Sequence, residues 1–153
     1  MTLTEKETEL LNDLKAGEEL CIEKYRRYAT DASDCALKGL FSTICSTEEG
    51  HLTTVNRILN GEDVSMTAPC PTAVSQSYEC CPSAVSAEQK ANDAFLCRDA
   101  LAMEKHVSGL YNISVFEFSC PDLRDTLGHI EKEEQNHGMQ LYQYLAANGM
   151  YGG

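Results

Sequence analysis

Residues 44–55 read ICSTEEGHLTTV, and residues 130–141 read IEKEEQNHGMQL. In the first, Ile44, Glu48, His51 and Val55 follow one another at steps of three and four; in the second, Ile130, Glu134, His137 and Leu141 do the same. That spacing is the period of an α-helix, and residues so placed share one face. The two segments lie 86 positions apart, and the same offset carries Glu18 to Glu104, Tyr25 to Tyr111, Leu37 to Leu123 and Phe41 to Leu127 without a gap. A match of this kind means two copies of one helical hairpin, which are expected to pack about an internal pseudo-two-fold axis.

Working outward, helices are predicted over about 4–32, 36–60, 87–118 and 121–147, with a crossover at about 61–85, in a single all-α domain spanning 1–153. Thr4 with Glu7 has the spacing of a capping box, and Leu11, Leu14, Glu18, Cys21, Tyr25 and Tyr28 continue one stripe behind it. Gly61 is a stop signal, and Ser86 is the expected cap of the third helix. The crossover holds three of the four prolines. So long a structureless stretch is uncommon, and is needed where a third helix starts at the end opposite to where the second stopped. The expected architecture is a four-helix bundle of two hairpins joined by a long crossover.

Composition narrows the class of function. A chain of 153 residues suits one domain with one core. A net charge of −12 works against nucleic-acid binding, since phosphates call for lysine and arginine. The opening MTLTEKETEL has neither the basic nor the apolar region of a secretory signal, and no apolar run reaches membrane-spanning length. A cytoplasmic protein without nucleic-acid or membrane partners is therefore expected. The eight cysteines include no CxxC pair, which excludes a rubredoxin-like iron site or a zinc ribbon.

Glutamate and histidine are out of place on an apolar stripe. Taking a carboxylate out of water costs several kcal/mol, and four together repel one another. Two divalent cations would offset the charge of Glu18, Glu48, Glu104 and Glu134, with His51 and His137 as further ligands. Each lone glutamate stands 30 residues before its Glu-x-x-His, so a hairpin brings the two level. An oxygen-rich set with two imidazoles suits iron first, with manganese or zinc as alternatives. Cys21, one turn beyond Glu18, either faces this site or is a small core residue. His106 and His129 fall off the stripes and are expected at the surface, with Glu19, Glu49, Glu131 and Glu133 as solvated neighbours. Gly17, Gly50, Gly109 and Gly138 lie inside helices, where each costs about 1 kcal/mol against alanine, for no reason visible in the sequence.

The duplicated Glu…Glu-x-x-His pattern over all four helices resembles the ferritin-like di-iron carboxylate superfamily, which includes rubrerythrins and ferritins. The resemblance implies a pair of metal ions, iron above all, that reacts with dioxygen or peroxide in oxidase, ferroxidase or peroxidase chemistry. It also implies that Tyr25 and Tyr111, each seven residues after a lone glutamate, hydrogen-bond a ligand carboxylate, the alternative being plain core aromatics. No counterpart is expected to the short fifth helix of storage ferritins or to the cysteine-rich domain of rubrerythrins, so a mineral-storing cage is not expected. The phrases IEKYRRYA (22–29), LKGLF (37–41), EKHVSGLYN (104–112), IEKEEQNHG (130–138) and NGMY (148–151) are closer still to ferritin-like spore coat proteins of the coat F type from clostridia-like bacteria. That similarity implies a structural role in the coat, as a homodimer or coat assembly with cysteines for cross-linking, the metal site being a staple or vestigial. Bundle topology then allows Cys35 to pair with Cys80 or Cys81, and Cys70 with Cys120.

Overall fold

The computed structural model describes residues 2–64 and 85–151, in which the regular elements are four α-helices. They are α1 (Glu5–Asp31), α2 (Cys35–Leu59), α3 (Ala87–Glu117) and α4 (Pro121–Ala147), each within one residue of the boundaries read from the sequence. Local chemistry accounts for the ends. Thr4 and Glu7 close the expected capping box on α1, Ser86 and Gln89 a second on α3, and Asp34 caps α2 by accepting from the Ala36 N–H. Pro121 opens α4, where its missing N–H is not needed. Two helices stop at a glycine in the left-handed region, Gly61 (φ 76°) and Gly149 (φ 64°). At each, the paired bonds of a Schellman turn return to the last carbonyls: Gly61 N–H to Ile58 and Glu62 N–H to Arg57, then Gly149 N–H to Ala146 and Met150 N–H to Leu145.

The helices pack as two hairpins, α1 on α2 and α3 on α4, with α1 beside α3 and α2 beside α4. Leu11, Leu14, Leu37, Phe41, Ile44, Val55 and Ile58 of the first hairpin are buried against Leu123, Leu127, Ile130, Leu141 and Tyr144 of the second. Each such side chain contributes about 1.5–3 kcal/mol on leaving water. Asp93, early in α3, meets the α1–α2 turn, so α3 begins at the end of the bundle opposite to where α2 finishes. The crossover that this requires lies, apart from residues 61–64 and 85, outside the described residues. No helix among the described residues is long and apolar enough to cross a membrane.

The repeat extends further than its apolar stripes. Both turns have the same length, residues 32–34 and 118–120, and each is held by a buried carboxylate from the first helix of the other hairpin. Asp93 accepts from the Ser33 and Asp34 N–H groups at 2.8 and 2.9 Å. Glu7 accepts from the Ser119 N–H at 3.2 Å. Glu7 and Asp93 are 86 apart, as are Ser33 and Ser119. Tyr144 adds a hydrogen bond to Asp34 at 2.9 Å.

The thiol pairing needs correction. Cys120 is a free thiol at the N-cap of α4, packed against the core, so the expected Cys70–Cys120 bridge is not formed. Its place at the α3–α4 turn is taken up by apolar packing rather than by a covalent partner. Cys35 is disulfide-bonded; Cys80 and Cys81, its expected partners, lie outside the described residues, as does Cys70. Cys21, Cys45 and Cys97 are free and buried.

Two substitutions test this account of the fold. Asp93→Ala removes the carboxylate that accepts from the half-buried Ser33 and buried Asp34 N–H groups and should lower stability by about 2–3 kcal/mol in urea unfolding. A side chain added at Gly109 would meet nothing within 4 Å. Gly109→Ala should therefore raise stability by about 0.5–1 kcal/mol, read from the same titration.

Candidate metal centre

The six residues singled out in the sequence come together halfway along the bundle. Glu18 (α1), Glu48 and His51 (α2), Glu104 (α3), Glu134 and His137 (α4) are all buried, none more than 4% exposed. Their ligand atoms form two groups, each within 4.8 Å: Glu18, Glu48, His51 and Glu134 in one, and Glu48, Glu104, Glu134 and His137 in the other. Glu48 and Glu134 belong to both. The distances repeat across the pseudo-axis. His51 Nδ1 lies 3.1 Å from Glu134, 3.2 Å from Glu48 and 3.7 Å from Glu18. His137 Nδ1 lies 3.0 Å from Glu48, 3.4 Å from Glu134 and 3.6 Å from Glu104. The two rings stack 5.9 Å apart.

Proximity here is not satisfaction. Among the described residues, Glu18 Oε2, Glu48 Oε1, Glu104 Oε2, both oxygens of Glu134 and His137 Nδ1 are buried with no hydrogen-bond partner. Buried polar atoms left so are costly and rare. Six at one spot, on carboxylates and an imidazole, form a donor set that could hold a metal ion.

Without a cation, protons supply the positive charge. Burial opposes charging of His51, yet Glu133, Glu134 and Glu48 around it outweigh that and hold its pKa well up. At His137 burial is likewise outweighed, there by Glu104, Glu134 and Glu48. Burial pushes Glu18 up, helped by the charges of Glu134 and Glu48, and burial likewise raises Glu104. At Glu48 and Glu134 burial works in the same direction but loses to the two imidazoles that face them, and both sit below the ordinary carboxylate value. The cluster thus favours protons on the two imidazoles and on Glu18 and Glu104, and charge on Glu48 and Glu134.

The surroundings fix the ring and carboxylate positions. The Tyr25 hydroxyl donates to Glu104 and the Tyr111 hydroxyl donates to Glu18, each reaching across to the other hairpin. Both phenols are fully buried, and burial leads in raising their pKa. Cys21 is fully buried too, its thiol pushed up first by burial and then by all four glutamates, so it lies within the field of the cluster. Two expectations fail nearby. Glu133 is not a solvated neighbour: its side chain is 15% exposed and it meets His51 Nε2 at 2.9 Å. His129, expected at the surface, has a side chain 11% exposed and lies 3.6 Å from the other Glu133 oxygen. Glu133 immediately precedes a ligand candidate and so points toward α2, a cue that the apolar stripe does not carry. The repeat could not reveal it, because its counterpart is Thr47.

The fold and this cluster define an all-α bundle with a buried carboxylate–imidazole centre able to take up metal. A family model described as Coat F domain matches residues 92–152, which cover most of α3 and all of α4. No curated protein and no solved structure gives a significant match.

The charge state of the cluster makes metal uptake a proton exchange. Metal binding should release protons from the raised imidazoles and carboxyls, measurable by titration calorimetry in buffers of different ionisation enthalpy. The raised groups also fix the sign of a stability change. Above the ordinary values of 4.5 for Glu18 and Glu104 and 6.5 for His51 and His137, the folded chain binds more protons than the unfolded one. Metal-free protein should therefore melt at a lower temperature at pH 9 than at pH 6, and metal-loaded protein should lose much less.

Proposed function

We propose that this chain is a spore coat protein whose bundle is closed around two metal ions, iron first, with manganese or zinc as alternatives. The observation that carries the metal reading is the sharing of Glu48 and Glu134 between two ligand groups, each completed by its own glutamate and histidine. Glu18 with His51 would hold one ion and Glu104 with His137 the other, the shared pair lying between them. The coat reading is supported by the Coat F match over the second hairpin. In that setting the ions act as a staple, since their ligands come from all four helices. Self-association as a homodimer or within the coat belongs to the same reading.

A second reading, redox activity, is favoured by a surface cleft whose lining includes Glu104 and Glu134. A bound ferrous pair supplies two electrons to dioxygen or peroxide. The residues of this chain would hold and orient the centre: Tyr25 and Tyr111 tether Glu104 and Glu18, and Glu133 sets the plane of the His51 ring.

Metal content per chain decides the central claim. Protein purified without chelator should carry about two ions, as the charge balance of four carboxylates requires, and a Glu48→Ala, Glu134→Ala double variant should carry almost none. Metal at one hundred times its dissociation constant should stabilise the wild type by about 2.7 kcal/mol per site. Equal metal content in the two proteins would reject the centre. Failure of antibodies to label the coat of sporulating cells would reject the coat role. Peroxide or dioxygen consumption by ferrous-loaded protein separates the redox reading from the staple.

A further inference from the structure

The two hairpins share one plan, and the second carries a cleft beside the centre. Between α3 and α4 lies a cleft of about 270 Å³, walled by Leu101, Gly138, Met139 and Tyr142, with Glu104 and Glu134 also lining it. Its accessible surface is almost wholly apolar. Met139 and Tyr142 are partly exposed and mark its mouth, 47% and 43% accessible. The two glutamates carry three of the orphaned oxygens.

The offset of 86 shows why the cleft belongs to this hairpin. Gly138 corresponds to Leu52, and Ser108, which also lines the cleft, corresponds to Ile22. Ile22 is buried in the core and Leu52 packs against it. Side chains thus occupy, between α1 and α2, the room that a glycine and a serine leave between α3 and α4. Crowding does not force a glycine at position 138: a Cβ there would meet Leu101 at 3.6 Å and Glu104 at 3.9 Å, ordinary contacts. What the missing side chain provides is space.

We propose that this cleft is a binding site for a small, uncharged, mainly apolar molecule about the size of one aromatic ring, which lies beside the centre against Glu104 and Glu134. The size follows from the volume, since an apolar cavity of about 150 Å³ already holds benzene. The charge follows from the walls: their accessible surface is almost wholly apolar, even with Lys105 and Gln135 in the lining, so an ion entering them would give up its hydration without a matching partner. The significance of the occupant for the metal ions rests on the metal reading above, whereas the site itself does not.

The test uses the full chain as purified, with its metal content measured on the same sample. Crystals pressurised with xenon should show xenon between α3 and α4 and none between α1 and α2. Benzene should bind saturably in a calorimetric titration, with benzoate and benzylammonium at least tenfold weaker. Gly138→Leu, which installs the residue of the other hairpin, should abolish the xenon peak and weaken benzene at least tenfold. Ser108→Ile should do the same and guards against misfolding of the first variant, and Leu52→Ala should leave benzene affinity in the α3–α4 cleft unchanged. Absence of xenon and benzene from the wild type, equal binding by benzoate, or unchanged binding by both filling variants would overturn the site. A chain without metal that still takes up xenon and benzene would overturn the metal reading alone.

Discussion

Four carboxyl groups in a dry interior need positive charge beside them, and the rest of this bundle is arranged around that need. Coulomb repulsion between carboxylates a few ångströms apart is large where water is excluded. The chain meets it with two imidazoles whose Nδ1 atoms face the glutamates at 3.0–3.7 Å. It meets it also by burying Glu18 and Glu104 so that their pKa is raised and their charged forms are disfavoured. Neither device satisfies the oxygens: six buried atoms still lack hydrogen bonds. Cations would relieve both the repulsion and the orphaned lone pairs, which is why charge and geometry lead to one reading.

The pseudo-two-fold axis makes the centre a joint product of the two hairpins. Each tyrosine reaches the lone glutamate of the other hairpin, each histidine faces the shared glutamate of the other, and each turn is clamped by a carboxylate of the other. Neither half contains a complete set. The symmetry is broken at a few positions, and those set one side apart from the other: Glu133 against Thr47, Cys21 against Val107, Gly138 against Leu52.

Helix boundaries, the stripe pattern and the six central residues were legible because each writes a periodic signal: apolar residues at steps of three and four, with ionisable ones intruding on the same face. What escaped carries no such period. Glu133 and His129 lie beside the stripe, and their burial depends on how closely α2 approaches α4, a tertiary distance. Glu7 was legible as half of a capping box, but its second task at Ser119 was not. Asp93 was overlooked although the offset of 86 from Glu7 pointed to it. Cys120 misled because sharing an end of the bundle brings thiols near without aligning them, and here the sulfur joins the apolar packing. Gly138 read as a helix defect until its neighbours could be seen.

The clamp between Glu7 and Ser119 joins residues 112 apart in sequence, and this has a bearing on how the chain assembles. Contacts within a hairpin close short loops, and such local structure forms fastest; those between hairpins must wait for distant segments to meet. Because each hairpin supplies half of the ligand set, the centre does not exist before the halves dock. Metal capture would therefore come late on the route from ribosome to native protein, and would act as a latch on an association already made rather than as the seed that starts it.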